Sequence, residues 1–195
     1  MSVKLNSFVV ADPYKCIGCK VCEVVCAVSH SNQEGKTVGT MDIPLMPKLF
    51  LVKTPHVTMP IQCRHCEDAP CANVCPVGAI SQIDNTIIVD EGVCVGCKTC
   101  MMACPFGAMD LVPLYQDGEV VMQEVLQLET EDGFVRKKCM VANKCDLCTG
   151  RGGGPACVES CPKKALTLIQ PDDQKRKRNV AAALNVMNSG KKNMS

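Results

Sequence analysis

Apolar positions in this chain come in short runs rather than long stripes. Phe8–Val10, Lys48–Val52, Thr86–Val89 and Leu166–Ile169 are brief runs rich in β-branched and other apolar side chains. Their length predicts short strands folded into hairpins, not the strands of one large sheet. Gly118 to Thr130 (GEVVMQEVLQLET) alternates well enough to predict one further strand in a peripheral insertion. The period changes near the C-terminal end, between Asp172 and Asn188. There Val180, Ala183, Leu184 and Met187 fall at i, i+3, i+4 and i+7 behind an acidic start, which predicts a helix. No stretch reaches the roughly 18 apolar residues that a membrane span needs. Pro171 to Ser195 is polar and basic. The mixture predicts an α+β fold.

Composition says what such small elements must be built around. The 195 residues suit one domain or two small ones, and 47% hydrophobic content excludes a disordered polar chain. Aromatic residues make up only 3% and tryptophan is absent, so large side chains fill little of the core. Seventeen cysteines remain as the organising feature, and a bound metal centre supplies folding free energy directly. A secreted disulfide scaffold is disfavoured. The segment Met1 to Lys15 offers only Phe8-Val9-Val10-Ala11 as an apolar run, no twin arginine is present, and the cysteine count is odd. Reduced thiols and a cytoplasmic location are therefore expected.

Sixteen cysteines fall into four quartets. The first is Cys16-x2-Cys19-x2-Cys22-x3-Cys26. The second is Cys63-x2-Cys66-x4-Cys71-x3-Cys75, followed by Pro76. The third is Cys94-x2-Cys97-x2-Cys100-x3-Cys104, followed by Pro105. The fourth is Cys145-x2-Cys148-x8-Cys157-x3-Cys161, followed by Pro162, and Cys139 stands outside all four. Cys-x2-Cys pairs alone would suit zinc, but a tetrahedral ion has no use for three successive thiolates and a fourth in Cys-Pro. A cubane with four irons does, so the quartets predict four [4Fe–4S] clusters. Gly18 and Gly96 occupy the same slot in quartets one and three, where a bare backbone turns tightly beside a cluster. Quartet one departs in having Ala27 where the others have proline, which is expected to vary the turn without losing the ligand.

Internal similarity predicts how the quartets pair. Phe8 to Cys26 matches Thr86 to Cys104, with Asp12 on Asp90 and Lys20 on Lys98. Likewise Cys71-x3-Cys75-Pro-x2-Ala79-Ile80 recurs as Cys157-x3-Cys161-Pro-x2-Ala165-Leu166. Only 18 residues separate Cys75 from Cys94, against 36 between Cys26 and Cys63 and 40 between Cys104 and Cys145. The expected architecture is thus two tandem bacterial 2[4Fe–4S] ferredoxin-like modules, one inserted in the other. Residues 1–57 plus 139–170 would form the outer module, 58–112 the inserted central one, 113–138 a peripheral insertion and 171–195 a basic helical tail. Short helices are expected after each Cys-x3-Cys-Pro. In bacterial ferredoxins the fourth cysteine of a run serves the partner cluster. On that rule the ligand sets are Cys16, Cys19, Cys22 with Cys161; Cys145, Cys148, Cys157 with Cys26; Cys63, Cys66, Cys71 with Cys104; and Cys94, Cys97, Cys100 with Cys75.

At Cys16-Ile-Gly-Cys19, Cys63-Arg-His-Cys-Glu-Asp-Ala-Pro-Cys71, Cys100-x3-Cys-Pro-Phe-Gly-Ala108, Lys144-Cys-Asp-Leu-Cys148 and Gly154-Pro-Ala-Cys157 the chain resembles a known group. These are the four-cluster ferredoxin-type subunits of formate and hydrogen metabolism, among the small electron-transfer subunits that serve molybdopterin oxidoreductases. Within the group it resembles the small subunit of formate hydrogenlyase or of hydrogen-dependent carbon dioxide reductase. The resemblance implies a non-catalytic, one-electron relay between a molybdenum or tungsten formate dehydrogenase-type subunit and a hydrogenase subunit, with a second ferredoxin-like subunit as a further partner. A free polyferredoxin and a cluster-bearing scaffold stay open beside it.

The remaining residues refine this picture. The formal net charge of +1 describes the empty chain; sixteen thiolates and four oxidised cores bring it to about −7, which argues against nucleic acid. Lys175-Arg176-Lys177-Arg178 and Arg136-Lys137-Lys138 are then solvated or docking faces. Lys20, Lys98, Lys144 and Lys163 lie beside ligands, either tuning the clusters or merely solvated at a loop rim. His65 is expected to be a loop residue near a cluster, since thiolates already fill its site. His30 and His56 carry no assigned role, and Cys139 reads as a buried small hydrophobe. The tail helix either docks on a partner or a second copy of the chain, or folds back on its own domain.

Overall fold

The computed structural model describes residues 5–31, 38–40, 43–131 and 133–192. In chain order, β1 is Phe8–Ala11, α1 Val21–His30, β2 Phe50–Lys53, β3 Thr58–Ile61, α2 Pro70–Asn73, β4 Ile80–Ile83, β5 Thr86–Val89, α3 Thr99–Ala103 and β6 Asp110–Pro113. There follow β7 Tyr115–Gln116, β8 Glu119–Val120, β9 Met122–Thr130, β10 Gly133–Lys138, β11 Met140–Asn143, α4 Ala156–Glu159, β12 Leu166–Ile169 and α5 Pro171–Lys192.

Among the described residues all the sheets are antiparallel pairs of two strands. β1 pairs with β12, Phe8 facing Ile169 and Ala11 facing Leu166, so the two ends of the clustered region meet. β4 and β5 form a hairpin between quartets two and three, turning at Asp84 and Asn85, which both adopt positive φ. β2 pairs with β3 between quartets one and two, and β6 pairs with β11 between quartets three and four. The strands β1, β5 and β12 are only four residues long, and an isolated two-stranded hairpin is marginal in water. Their stability must come from what they pack against.

Two apolar cores supply part of it. One gathers Val9, Ala11, Cys22, Cys26, Leu49, Cys157 and Leu166, around quartets one and four. The other gathers Ala69, Cys71, Ile80, Ile87, Cys100, Met109 and Ala142, around quartets two and three with one residue of β11. Val9 and Ile87 are among the most deeply buried side chains, each worth about 1.5–3 kcal/mol by transfer. Helix α1 packs on α4 and α2 on α3, one pair in each core.

Three expectations change. The short helices precede the Cys-Pro step instead of following it. A Cys-x3-Cys spacing is one helical turn, whereas a proline pushes the residue before it into extended conformation; Cys104, at φ −76° and ψ 111°, ends α3 in this way. Quartet one has Ala27 at that point, and α1 runs on to His30. The peripheral insertion carries not one strand but a projecting β9–β10 hairpin and the small β7–β8 pair. The tail is helical as expected, but its described side chains from Asp172 to Asn188 are all exposed, so it does not fold back on the domain. Among the described residues no helix is long and apolar enough to cross a membrane.

Candidate metal centres

Left-handed turns lead into α1 and α3. Gly18 and Gly96 take φ +71° and +62°, and the next residues but one, Lys20 and Lys98, also take positive φ before starting α1 and α3. The helix that follows holds the third and fourth cysteines of a quartet one turn apart. Cys100 lines one cavity and Cys104, four residues on, lines another. One short helix thus feeds two neighbouring sites.

Three small cavities are lined by four cysteines each. The first holds Cys16, Cys19, Cys22 and Cys161. The second holds Cys75, Cys94, Cys97 and Cys100, and the third Cys63, Cys66, Cys71 and Cys104. Cys26, Cys145, Cys148 and Cys157 form the remaining group. Cys145 and Cys26 lie close enough for their charges to interact, and Cys157 interacts with both Cys26 and Cys148. No disulfide joins any of the seventeen cysteines.

Burial pushes the thiols of Cys22 and Cys71 up to about 11 and that of Cys157 up to about 12; Cys145 moves further in the same direction for the same reason. Thiols in that range stay protonated at neutral pH unless a metal ion ionises them. The backbone is nonetheless arranged to receive thiolates. Amides of Ala79, Ala108 and Ala165 donate to Cys75, Cys104 and Cys161 across 3.3, 3.4 and 3.3 Å, each reaching back four residues past a proline. Where Ala27 replaces that proline the helix continues, and Lys48 N–H donates to Cys26 Sγ instead, at 3.3 Å. His65, Ala142 and Leu147 amides point at Cys63, Cys94 and Cys145. Among the described residues the buried side-chain polar atoms left without a partner are both amide atoms of Gln62 and Nε2 of His65. Two of these are N–H donors on residues flanking Cys63 in sequence. Four-thiol cavities whose cysteines accept backbone amide hydrogen bonds fit iron–sulfur clusters.

Several flanking residues emerge that spacing alone does not distinguish. Lys144 is buried, whereas Lys20, Lys98 and Lys163 are exposed. His65 is fully buried and its Nδ1 accepts the Ile87 amide at 3.0 Å; burial and then the charge of Lys144 lower its pKa to about 3, so the ring is neutral. His30, given no role from sequence, donates from Nδ1 to Cys26 O at 2.7 Å and pairs with Asp146 at 2.8 Å. Burial opposes its charge, but the bonds to Asp146 and Cys26 prevail and raise it to about 10. Burial likewise opposes ionisation of Asp146, yet its bond to His30 prevails and holds it down at about 2. His30, Asp146 and Cys148 lie within reach of one metal ion, yet both imidazole nitrogens are already engaged by Cys26 and Asp146. Arg64 sits 5.6 Å from the Phe8 ring and 5.9 Å from the Phe106 ring, clamping β1 to the turn after quartet three. Cys139 is half-buried rather than buried, and lines none of the three four-cysteine cavities.

Comparison with known proteins agrees with this chemistry. Residues 55–124 and 93–166 each match a 4Fe-4S dicluster domain, the first spanning quartets two and three, the second three and four. The chain is 43% identical over 165 residues to the electron transport protein HydN of Escherichia coli (strain K12), covering 85% of this chain and 89% of that one. It is 40% identical to hydrogenase-4 component A (88% and 86% covered) and 38% identical to formate hydrogenlyase subunit 2 (89% of each), both from the same strain. Tandem 4Fe-4S dicluster domains, and relatives this similar over most of their length, place the chain in the family of ferredoxin-type 4Fe-4S electron-transport proteins.

Proposed function

We propose that this chain relays single electrons through four [4Fe–4S] clusters between a formate dehydrogenase-type subunit and a hydrogenase subunit. The observation that carries the reading is the set of three cavities, each lined by four cysteines, at least one of which accepts a backbone amide hydrogen bond. The proposed ligand sets are Cys16, Cys19, Cys22 and Cys161; Cys26, Cys145, Cys148 and Cys157; Cys63, Cys66, Cys71 and Cys104; and Cys75, Cys94, Cys97 and Cys100. In the proposed architecture the central module of residues 58–112 is inserted in the outer one, and borrows β11 from it.

When bound, the clusters supply one-electron chemistry; the chain itself holds them, excludes water and sets their surroundings. The chain is read as a non-catalytic subunit, cytoplasmic, with partners suggested by the relatives named for hydrogenase-4 and formate hydrogenlyase. Exposure suggests the order of transfer. Cys19 and Cys97 are exposed, while Cys63, Cys71, Cys145 and Cys157 are buried. The clusters of Cys16–Cys22 and Cys94–Cys100 would therefore exchange electrons with partners, and the other two would link them.

The test is anaerobic purification of the tagged chain from its native host. Co-purification of formate- and hydrogen-dependent activities, lost when the chain is deleted and restored when it is returned, is the expected result. A chain that purifies alone, with both activities intact in its absence, would favour a free carrier and overturn the subunit reading.

A further inference from the structure

Lys144 is anomalous for a lysine. It is 3% exposed, and its ammonium donates to two neutral carbonyls, Ile87 O and Cys145 O, the latter at 2.8 Å. Among the described residues no carboxylate forms an ion pair with it. A buried ammonium with only neutral acceptors is costly, and persists where an anion lies close. Lys144 lines the cavity of Cys63, Cys66, Cys71 and Cys104, and its backbone leads directly into Cys145 of the neighbouring group. Its charge reaches both Cys71 and Cys145.

The peptide it grips is held from both sides. Ile87 O accepts from Lys144 while Ile87 N–H donates to His65 Nδ1. His65 belongs to quartet two and Lys144 to the approach to quartet four, so one buried residue of β5 ties the two inner cluster loops together. Lys20 offers a contrast: its side chain is 67% exposed and 3.9 Å from Glu23, where water and salt screen its charge.

We propose that Lys144 is the shared counter-charge of the two inner clusters and holds them easier to reduce than the two outer ones. The proposal rests on the cluster assignment above. Each [4Fe–4S] centre with four thiolates carries a net negative charge that grows by one on reduction, so a fixed cation favours the reduced form of whichever inner cluster holds the electron. Lys144 acts as a positioning residue. An electron crossing the chain would find its lowest-energy stops in the buried middle, away from adventitious oxidants.

The experiment is a redox titration of the full chain by electron paramagnetic resonance, after iron and sulfide analysis of each sample. Wild-type protein should titrate as two clusters of higher and two of lower potential; four equal potentials would overturn the proposal. Lys144→Met should keep its iron, while the reduced-to-oxidised ratio of two clusters falls about tenfold at fixed potential, a shift of about 59 mV for one electron. Lys144→Arg should restore most of that shift, and Lys98→Met should move no cluster more than about twofold. Fully loaded Lys144→Met with unchanged potentials, or with all four shifted equally, would refute the assignment. Should Lys144→Met fail to load, Lys144→Gln retains a donor for Ile87 O without the charge and is judged by the same outcomes, with the wild-type pattern deciding if neither loads. A wild-type chain lacking sulfide would instead overturn the cluster reading itself, a separate failure.

Discussion

Replacing Gly96 by alanine should damage the protein far more than the same change at Gly18, although the two glycines fill equivalent slots in quartets one and three. Both take positive φ, so either alanine costs about 1–2 kcal/mol in backbone strain. The surroundings then separate them. A Cβ on Gly18 would meet Thr58 Cγ2 at 3.0 Å, a side-chain atom and not backbone. A Cβ on Gly96 would lie 2.4 Å from Met140 O and 3.2 Å from Met140 C, both backbone atoms. Ordinary carbon–oxygen contact is about 3.3–3.6 Å, so β11 would have to retreat by about 1 Å. That strand pairs with β6, and its Ala142 amide donates to Cys94 Sγ. Losing two or three such bonds at about 1 kcal/mol each, on top of the strain, brings Gly96→Ala to about 3–5 kcal/mol. At about 2–4 °C per kcal/mol, Gly18→Ala should lose cluster absorbance about 2–8 °C below the wild type, and Gly96→Ala about 6–20 °C below it. Anaerobic thermal bleaching, with iron analysis of each preparation, makes the comparison. Equal losses in the two variants, with equal iron, would refute the argument that β11 is the rigid wall of that site.

Two other perturbations test the arrangement of the sites and the tail. Cys26→Ala should disrupt the cluster assigned to Cys145, Cys148 and Cys157 and spare the central pair, whereas Cys139→Ser should change no iron count; Mössbauer and electron paramagnetic resonance spectra distinguish these, and loss of a central cluster in Cys26→Ala would mean that quartets one and two pair. Deleting residues 171–195 removes no cysteine and leaves β12 on β1, so all four clusters should survive while the native complex shrinks or falls apart on gel filtration at matched concentration; unchanged size and unchanged electron transfer would exclude the helix as a docking or self-association element.

Much of the local structure is legible in the sequence because short β-branched runs and cysteine spacings are local signals. β1, β5 and β12 begin where their apolar runs begin, and the tail helix follows its period and acidic start. The short helices are harder to place, because a Cys-Pro step resembles the start of an element, whereas its steric effect on the preceding residue makes it an end. The lysines show a different limit. Lys20 and Lys98 follow a cysteine and Lys144 precedes one, and that adjacency alone does not reveal which is buried. Burial of Lys144 comes from the carbonyl of Ile87, 57 residues away, and from the cavity assembled by quartets two and three. His30 and Asp146 are 116 residues apart, and their ion pair exists only because α1 packs on α4 beside the quartet-four loop. Residues proposed to hold clusters announce themselves by spacing; residues proposed to tune them depend on contacts between distant segments.

The central claim is most directly tested by the metal and sulfide content of anaerobically purified full-length protein, measured together with its Mössbauer spectrum. The account predicts about sixteen iron and sixteen acid-labile sulfide per chain, all in cubane clusters. Near-stoichiometric zinc without sulfide, or iron that does not exceed two clusters in a fully folded preparation, would contradict it.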